Sequence, residues 1–131
     1  LRLTKNSIPF SKEILRQFYI TSNWYNKLED AKKARKKTYG LGASTKGNVL
    51  LQYYGINEDL LPAIGDVNED KFGKFTPGTL IPIVSEVDIL NRKPDYLVVL
   101  PWHFRDFFLS NPAMKGITLV FPLPELTIVE L

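Results

Sequence analysis

The stretch Gly40-Leu41-Gly42-Ala43-Ser44-Thr45-Lys46-Gly47-Asn48-Val49-Leu50-Leu51-Gln52-Tyr53-Tyr54 decides how this chain is read. A short β-prone piece, Thr38-Tyr39, leads into a small-residue turn, and an apolar helical pattern follows it. Strand, glycine turn and helix form the unit that offers backbone N–H groups and a helix N-terminus to an anion. Gly40 and Gly42 fill the first two positions of a G-x-G-x-x-G pattern, but Thr45 stands where the third glycine belongs and Gly47 comes two residues late. A P-loop is excluded, because Asn48 follows Gly47 where that motif needs lysine, and Lys46 precedes the glycine. The turn is open to two readings, a phosphate cradle or a ligand-free connection between strand and helix.

Strand and helix signals alternate on both sides of this unit. A helix over Gly47–Tyr54 stops at Gly55, a residue suited to the position after a helix end. Leu60-Leu61-Pro62-Ala63-Ile64-Gly65 reads as a second strand, with Asp66 at its carboxyl edge. A polar, turn-rich segment runs from Val67 to Thr79. Ile81-Pro82-Ile83-Val84 is a short strand whose proline places it near a sheet edge. Ser85 caps a brief helix, Glu86–Asn91. Tyr96-Leu97-Val98-Val99-Leu100 is an unbroken apolar run of the kind found in buried parallel strands. Pro101-Trp102-His103-Phe104 opens a further helix through Leu109, and Ile117–Phe121 and Leu126–Val129 complete the sheet.

Ahead of the glycine turn, Ser11 has the character of an N-cap, and Ile14, Leu15, Phe18 and Tyr19 follow at helical spacing. The pattern continues through Trp24, Tyr25, Leu28, Ala31 and Ala34, with a break near Thr21-Ser22-Asn23. Five of the six residues from Lys32 to Lys37 are basic. They read as a solvated helix end favoured by the macrodipole. The interleaved aromatics that stack nucleic-acid bases are missing there.

This alternation predicts an α/β fold: a mostly parallel sheet with helices on both faces, preceded by an N-terminal helix. Ligands of such sheets bind at the carboxyl ends of the strands, beside the switch point. The glycine turn, the segment from Asp66 to Thr79 and Pro101–Phe104 should therefore share one edge.

The 131 residues fit one domain with a real core, and 44% hydrophobic with 24% charged residues is ordinary globular composition. Net charge is +3, too mild to argue for nucleic acid. With no cysteine, disulfides and thiolate metal sites are excluded, and a reducing, cytoplasmic setting is expected. Apolar runs stay far below the roughly 20 residues of a membrane helix, and the start, Leu1-Arg2-Leu3-Thr4-Lys5, has no signal-peptide core. The chain does not begin with Met, which points to a piece of something longer.

Candidate binding residues gather at the predicted edge. Gly40, Gly42, Ala43, Ser44, Gly47 and Asn48 belong to the turn itself. Asp66 lies about 20 residues beyond Gly47, the offset of an acidic ribose contact, and it serves equally as a turn residue. Lys46, Lys71 and Lys74 are placed either to add charge near a phosphate or to be solvated. Thr76-Pro77-Gly78-Thr79 is a strong turn signature, and Thr79 joins the candidates from it. Trp102 and His103 sit at a helix start, where the single histidine caps or packs as readily as it binds. Ser44 is followed by Thr45, so no nucleophile elbow forms. No second histidine or acidic cluster completes a metal-ligand set, and nothing assembles a catalytic constellation.

An ordered set of motifs adds to this. The Gly40–Asn48 turn is followed by Leu51-Gln52-Tyr53-Tyr54-Gly55-Ile56, Lys71-Phe72-Gly73, Pro77-Gly78-Thr79 with Ile81-Pro82-Ile83, Pro94-Asp95-Tyr96, Leu100-Pro101-Trp102-His103-Phe104 and Phe121-Pro122-Leu123-Pro124. The series resembles the C-terminal domain of S-adenosylmethionine-dependent sugar C-methyltransferases, which methylate a carbon of a nucleotide-linked keto-deoxysugar. The resemblance covers residues 35–131, with residues 1–34 as a linking helix region. It implies a Rossmann-like three-layer domain that is itself non-catalytic, binds the nucleotide-linked sugar and shapes the cleft. It implies that S-adenosylmethionine and zinc are held by other domains, and that the partner is the catalytic methyltransferase domain of the same or a companion chain. Two other functions remain open: an independent dinucleotide-binding domain of the NAD type, and a docking module without a small-molecule ligand. In the second, Phe10, Phe18, Tyr19, Trp24 and Tyr25 would supply either a docking face or core.

Overall fold

The computed structural model describes residues 24–131. The expectations for Ser11, Ile14, Leu15, Phe18, Tyr19 and Phe10 lie outside the described residues. Residues 24–33 form helix α1. Then follow β1 (Thr38–Leu41), α2 (Thr45–Tyr53), β2 (Ile64–Asp66), β3 (Ile83–Ser85), α3 (Glu86–Asn91), β4 (Tyr96–Val99), α4 (Arg105–Leu109), β5 (Thr118–Phe121) and β6 (Thr127–Glu130). The strands make one six-stranded sheet in the order β3-β2-β1-β4-β5-β6. All neighbours are parallel except β5 and β6. Only residues 122–126 separate those two strands, too short a link for a crossover, so the chain returns antiparallel. No helix among the described residues is long and apolar enough to cross a membrane.

The unbroken apolar run of β4 is explained by what covers it. Val98 joins a core cluster with Trp24 and Leu28 of α1, Leu50 and Leu51 of α2, and Ile64 and Val120 of the sheet. Leu97 and Val99 point the other way, into a cluster with Ile89 of α3, Phe108 of α4 and Met114. Successive strand residues face opposite sides, so helical cover on both faces demands apolar residues at every position. Of the N-terminal aromatics, Trp24 is fully buried and Tyr25 is packed against the first cluster, which makes both of them core residues.

Prolines shorten β2 and β3. The second strand begins at Ile64 and not at Leu60, because Pro62 has no N–H to give a ladder. Pairing starts where the Gly40 N–H donates to the Ala63 carbonyl, at 3.0 Å. Pro82 accepts from the Ile64 N–H at 3.0 Å but cannot donate, and β3 is an edge strand, as its proline predicts.

Helix ends follow local chemistry. Ser44 caps α2 by accepting from the Gly47 N–H at 3.0 Å, so the helix starts at Thr45, two residues before the expected Gly47. At its other end the Gly55 N–H donates to the Gln52 carbonyl and the Ile56 N–H to the Leu51 carbonyl, a Schellman pattern that buries Ile56. Ser85 caps α3 through the Asp88 N–H at 3.0 Å, as expected. The single helix expected after Pro101 is split into a 3-10 turn, Trp102–Phe104, and the short α4.

Candidate functional site

With β2 on one side of β1 and β4 on the other, the carboxyl ends of these strands frame a crevice at the switch in strand order. A cleft of about 250 Å³ opens there, lined by Gly42, Ala43 and Ser44 after β1, Asp66, Val67 and Lys71 after β2, Glu86 after β3, and Pro101 and Phe104 after β4. The glycine turn, the first part of the loop after β2 as far as Lys71, and Pro101 with Phe104 share this edge, while the rest of the second loop, to Thr79, does not.

The turn after β1 is tied by the chain itself. Gly42 has φ +83°, and its N–H donates to the Gly65 carbonyl at 2.7 Å. A Cβ on Gly42 would meet Pro101 Cδ at 2.6 Å, so the close approach it permits is to Pro101. The Ala43 N–H donates to Asp66 Oδ2 at 2.8 Å, and the Asn68 N–H donates to Asp66 Oδ1 at 2.8 Å. Lys71 Nζ donates to the Ala43 carbonyl at 2.8 Å and lies 3.8 Å from Asp66 Oδ2. Asp66 is 9% exposed. A buried carboxylate is tolerable there because two N–H donors and an ammonium group compensate its lost hydration.

Glu86 faces the same space without such help. Partial burial, and secondarily the nearby charge of Asp66, hold its carboxyl above the usual carboxylate range. An acid whose folded pKa is raised favours the protonated form in the fold, so stability falls as pH rises through that pKa. Glu86→Gln is therefore expected to raise the melting temperature at pH 7 by about 1–2 °C, a surface-scale effect. The gain should vanish near pH 4. Melting curves at both pH values check this, and an equal change at each would refute the electrostatic cause.

Other predicted residues sit elsewhere. Gly40 lies inside β1, where its missing side chain leaves room for Ile64 and Leu100. Gly47 faces inward, and a Cβ there would meet Leu100 Cβ at 2.7 Å. Its missing side chain lets α2 pack close against Leu100. Lys46 is exposed, and Asn48 is half-buried with an Oδ1 that has no partner among the described residues. Trp102 packs against both core clusters, while His103 is exposed, its ring 4.2 Å from that of Phe104. Neither lines the cleft.

Thr79 is not brought to the turn. Its hydroxyl pairs with that of Thr76, and the Pro77 carbonyl accepts from Gln52 Nε2 at 2.7 Å. That anchors the loop near the far end of α2, roughly 12 Å of helix from Ser44 at 1.5 Å per residue. A broader hollow of about 620 Å³ lies there, with Thr79 beside Asn57, Glu58 and Asp59.

Val67, Glu86, Phe107 and Asn111 line the cleft without having been singled out. Phe104 and Phe107 are 59% and 66% exposed, three residues apart, in a run that reads as core. Their one sequence signal is excess: Phe104, Phe107, Phe108 and Leu109 are more apolar residues than one face of so short a helix can bury.

Two comparisons with known proteins bear on this arrangement. The model of the C-methyltransferase C-terminal domain family matches residues 10–124. Over 93 residues, 69% of this chain, the sequence is 32% identical to the C-methyltransferase NovU of Streptomyces niveus. The match covers 22% of that protein, so the chain spans about a fifth of its relative's length. The family model covers most of the chain, and the chain belongs to the C-methyltransferase C-terminal domain family.

Proposed function

We propose that this domain binds the nucleotide-linked sugar of a C-methyltransferase and forms one wall of its active-site cleft. The observation that carries the proposal is the crevice at the carboxyl ends of β1, β2 and β4, where the glycine turn, Asp66, Lys71 and Pro101 converge. The strand order is that of Rossmann-like dinucleotide-binding sheets. The N–H groups of Thr45 and Lys46, in the first turn of α2, have no hydrogen-bond partner among the described residues. With the helix dipole they favour a phosphate at that end. A cleft of about 250 Å³ is smaller than the roughly 300–1,000 Å³ that encloses a whole ligand. It holds part of a nucleotide sugar and leaves the reacting carbon to face a second wall, the catalytic methyltransferase domain.

In this reading the domain supplies no catalytic residue and works in the cytoplasm. S-adenosylmethionine and zinc belong to other parts of the parent enzyme. The zinc of that division needs ligands other than cysteine if it is to sit here, since the sequence has none. The Rossmann-like order equally favours an NAD-type ligand, so that dinucleotide belongs in the same test.

Calorimetric titration of the chain with thymidine and uridine diphosphates, NAD and S-adenosylmethionine decides the matter. The two diphosphates are expected to bind and the methyl donor is not. Gly42→Val should abolish binding, while Lys71→Ala should cost about 1 kcal/mol. If neither diphosphate binds, the docking-module function takes the place of this one. Binding of NAD alone would favour an independent dinucleotide domain, and micromolar binding of S-adenosylmethionine would overturn the assigned division of labour.

A further inference from the structure

We infer that Glu86 is the carboxylate in this cleft that receives the ligand's sugar hydroxyls, an assignment that rests on the nucleotide-sugar function proposed above. By sequence offset that role falls to Asp66, but its two oxygens already accept from the Ala43 and Asn68 N–H groups. Lys71 draws on the same carboxylate from 3.8 Å. An arriving hydroxyl would have to compete with two N–H donors and a neighbouring ammonium group.

Glu86 is placed beside it without those commitments. Asp66 pairs in register with Ser85, the last residue of β3, and Glu86 follows directly. Glu86 lines the cleft, and its carboxylate has no hydrogen-bond or ion partner among the described residues. The cleft's ammonium group, Lys71 Nζ, is engaged by the Ala43 carbonyl and by Asp66. The cap of α3 is already supplied by Ser85, so the helix does not need the Glu86 side chain. A half-buried anion without a donor is unfavourable, and a hydroxyl pair on a ligand resolves that.

The charge of Glu86 also orients the ligand. It repels a diphosphate, which is left to the free N–H groups at the start of α2. The exposed rings of Phe104 and Phe107, on the β4 side of the cleft, offer flat apolar faces to a base.

The test is calorimetry on the full chain with uridine diphosphate and its 2′,3′-dideoxy analogue, for the parent, Glu86→Gln and Glu86→Ala. The parent should bind uridine diphosphate about tenfold more tightly than the analogue, the scale of a hydrogen bond to a charged group. Glu86→Ala should bind both alike, at the analogue's affinity, and Glu86→Gln should fall between. This coupling between a side chain and a ligand group is one that a merely structural role does not produce. A parent indifferent to the hydroxyls, or a Glu86→Ala variant that still discriminates tenfold, overturns the assignment and leaves the cleft function standing. A parent that binds neither compound overturns both.

Discussion

Gly42→Ala should lower the unfolding free energy by about 3 kcal/mol, with an unchanged denaturant slope. Two effects add. At φ +83° an L-residue meets its own backbone, which costs about 1–2 kcal/mol. The new methyl group would also lie 2.6 Å from Pro101 Cδ and 2.7 Å from Pro101 Cγ. Relief requires Pro101 to move, a shift on the overpacking scale of about 1–3 kcal/mol. Pro101 is buried between β4 and the 3-10 turn, so the disturbance passes into the cleft wall. Urea unfolding followed by circular dichroism reads the loss. A variant within about 0.5 kcal/mol of the parent would mean that the turn relaxes freely.

Trp24→Ala should be costlier, about 4 kcal/mol on the scale of a large buried aromatic. Trp24 is 0% exposed, packs in the cluster of Leu50, Leu51 and Leu100, and meets Tyr54 edge-on at 6.1 Å. Its Nε1 is buried with no partner among the described residues, which already detracts from its contribution. Trp24→Phe removes that buried donor and keeps most of the apolar volume, so it should cost about 1 kcal/mol. The ratio of the two losses is the measurement. Equal losses would mean that the indole nitrogen, and not the packing, holds α1 to the sheet. A near-zero loss for alanine would mean that α1 does not belong to the cooperative core.

The architecture was legible because its strongest signals are local and agree. Tyr96–Leu100 is apolar at every position, and such a run is stable only between two covered faces. Ser85, Gly55 and the edge-strand proline were read at their places for the same reason, since caps and proline geometry depend on immediate neighbours. The strand limits at Ala63 and Pro82 were harder, because they depend on which neighbouring strand accepts each N–H group. At the site, Gly42, Ala43 and Ser44 were legible from a motif on one β–turn–α unit, Asp66 from its offset beyond Gly47, and Lys71 only as a charge in the loop that follows. Glu86 and Phe107 were not, since a first-turn acid and a helical phenylalanine look like cap and core until the sheet folds. Thr79 was misplaced because a turn signature says where the chain bends but not towards which end of α2.

The sheet order has a consequence for how the chain emerges during synthesis. β1 lies between β2 and β4, and Thr38 pairs with Tyr96, about 60 residues later. At roughly 5–20 residues per second, β1 waits about 3–12 s on the ribosome for its second neighbour. Until then one of its edges is unpaired and α2 covers only part of a sheet. Protection of β1 amides in stalled nascent chains should therefore appear in two steps, the later one only after β4 has left the exit tunnel.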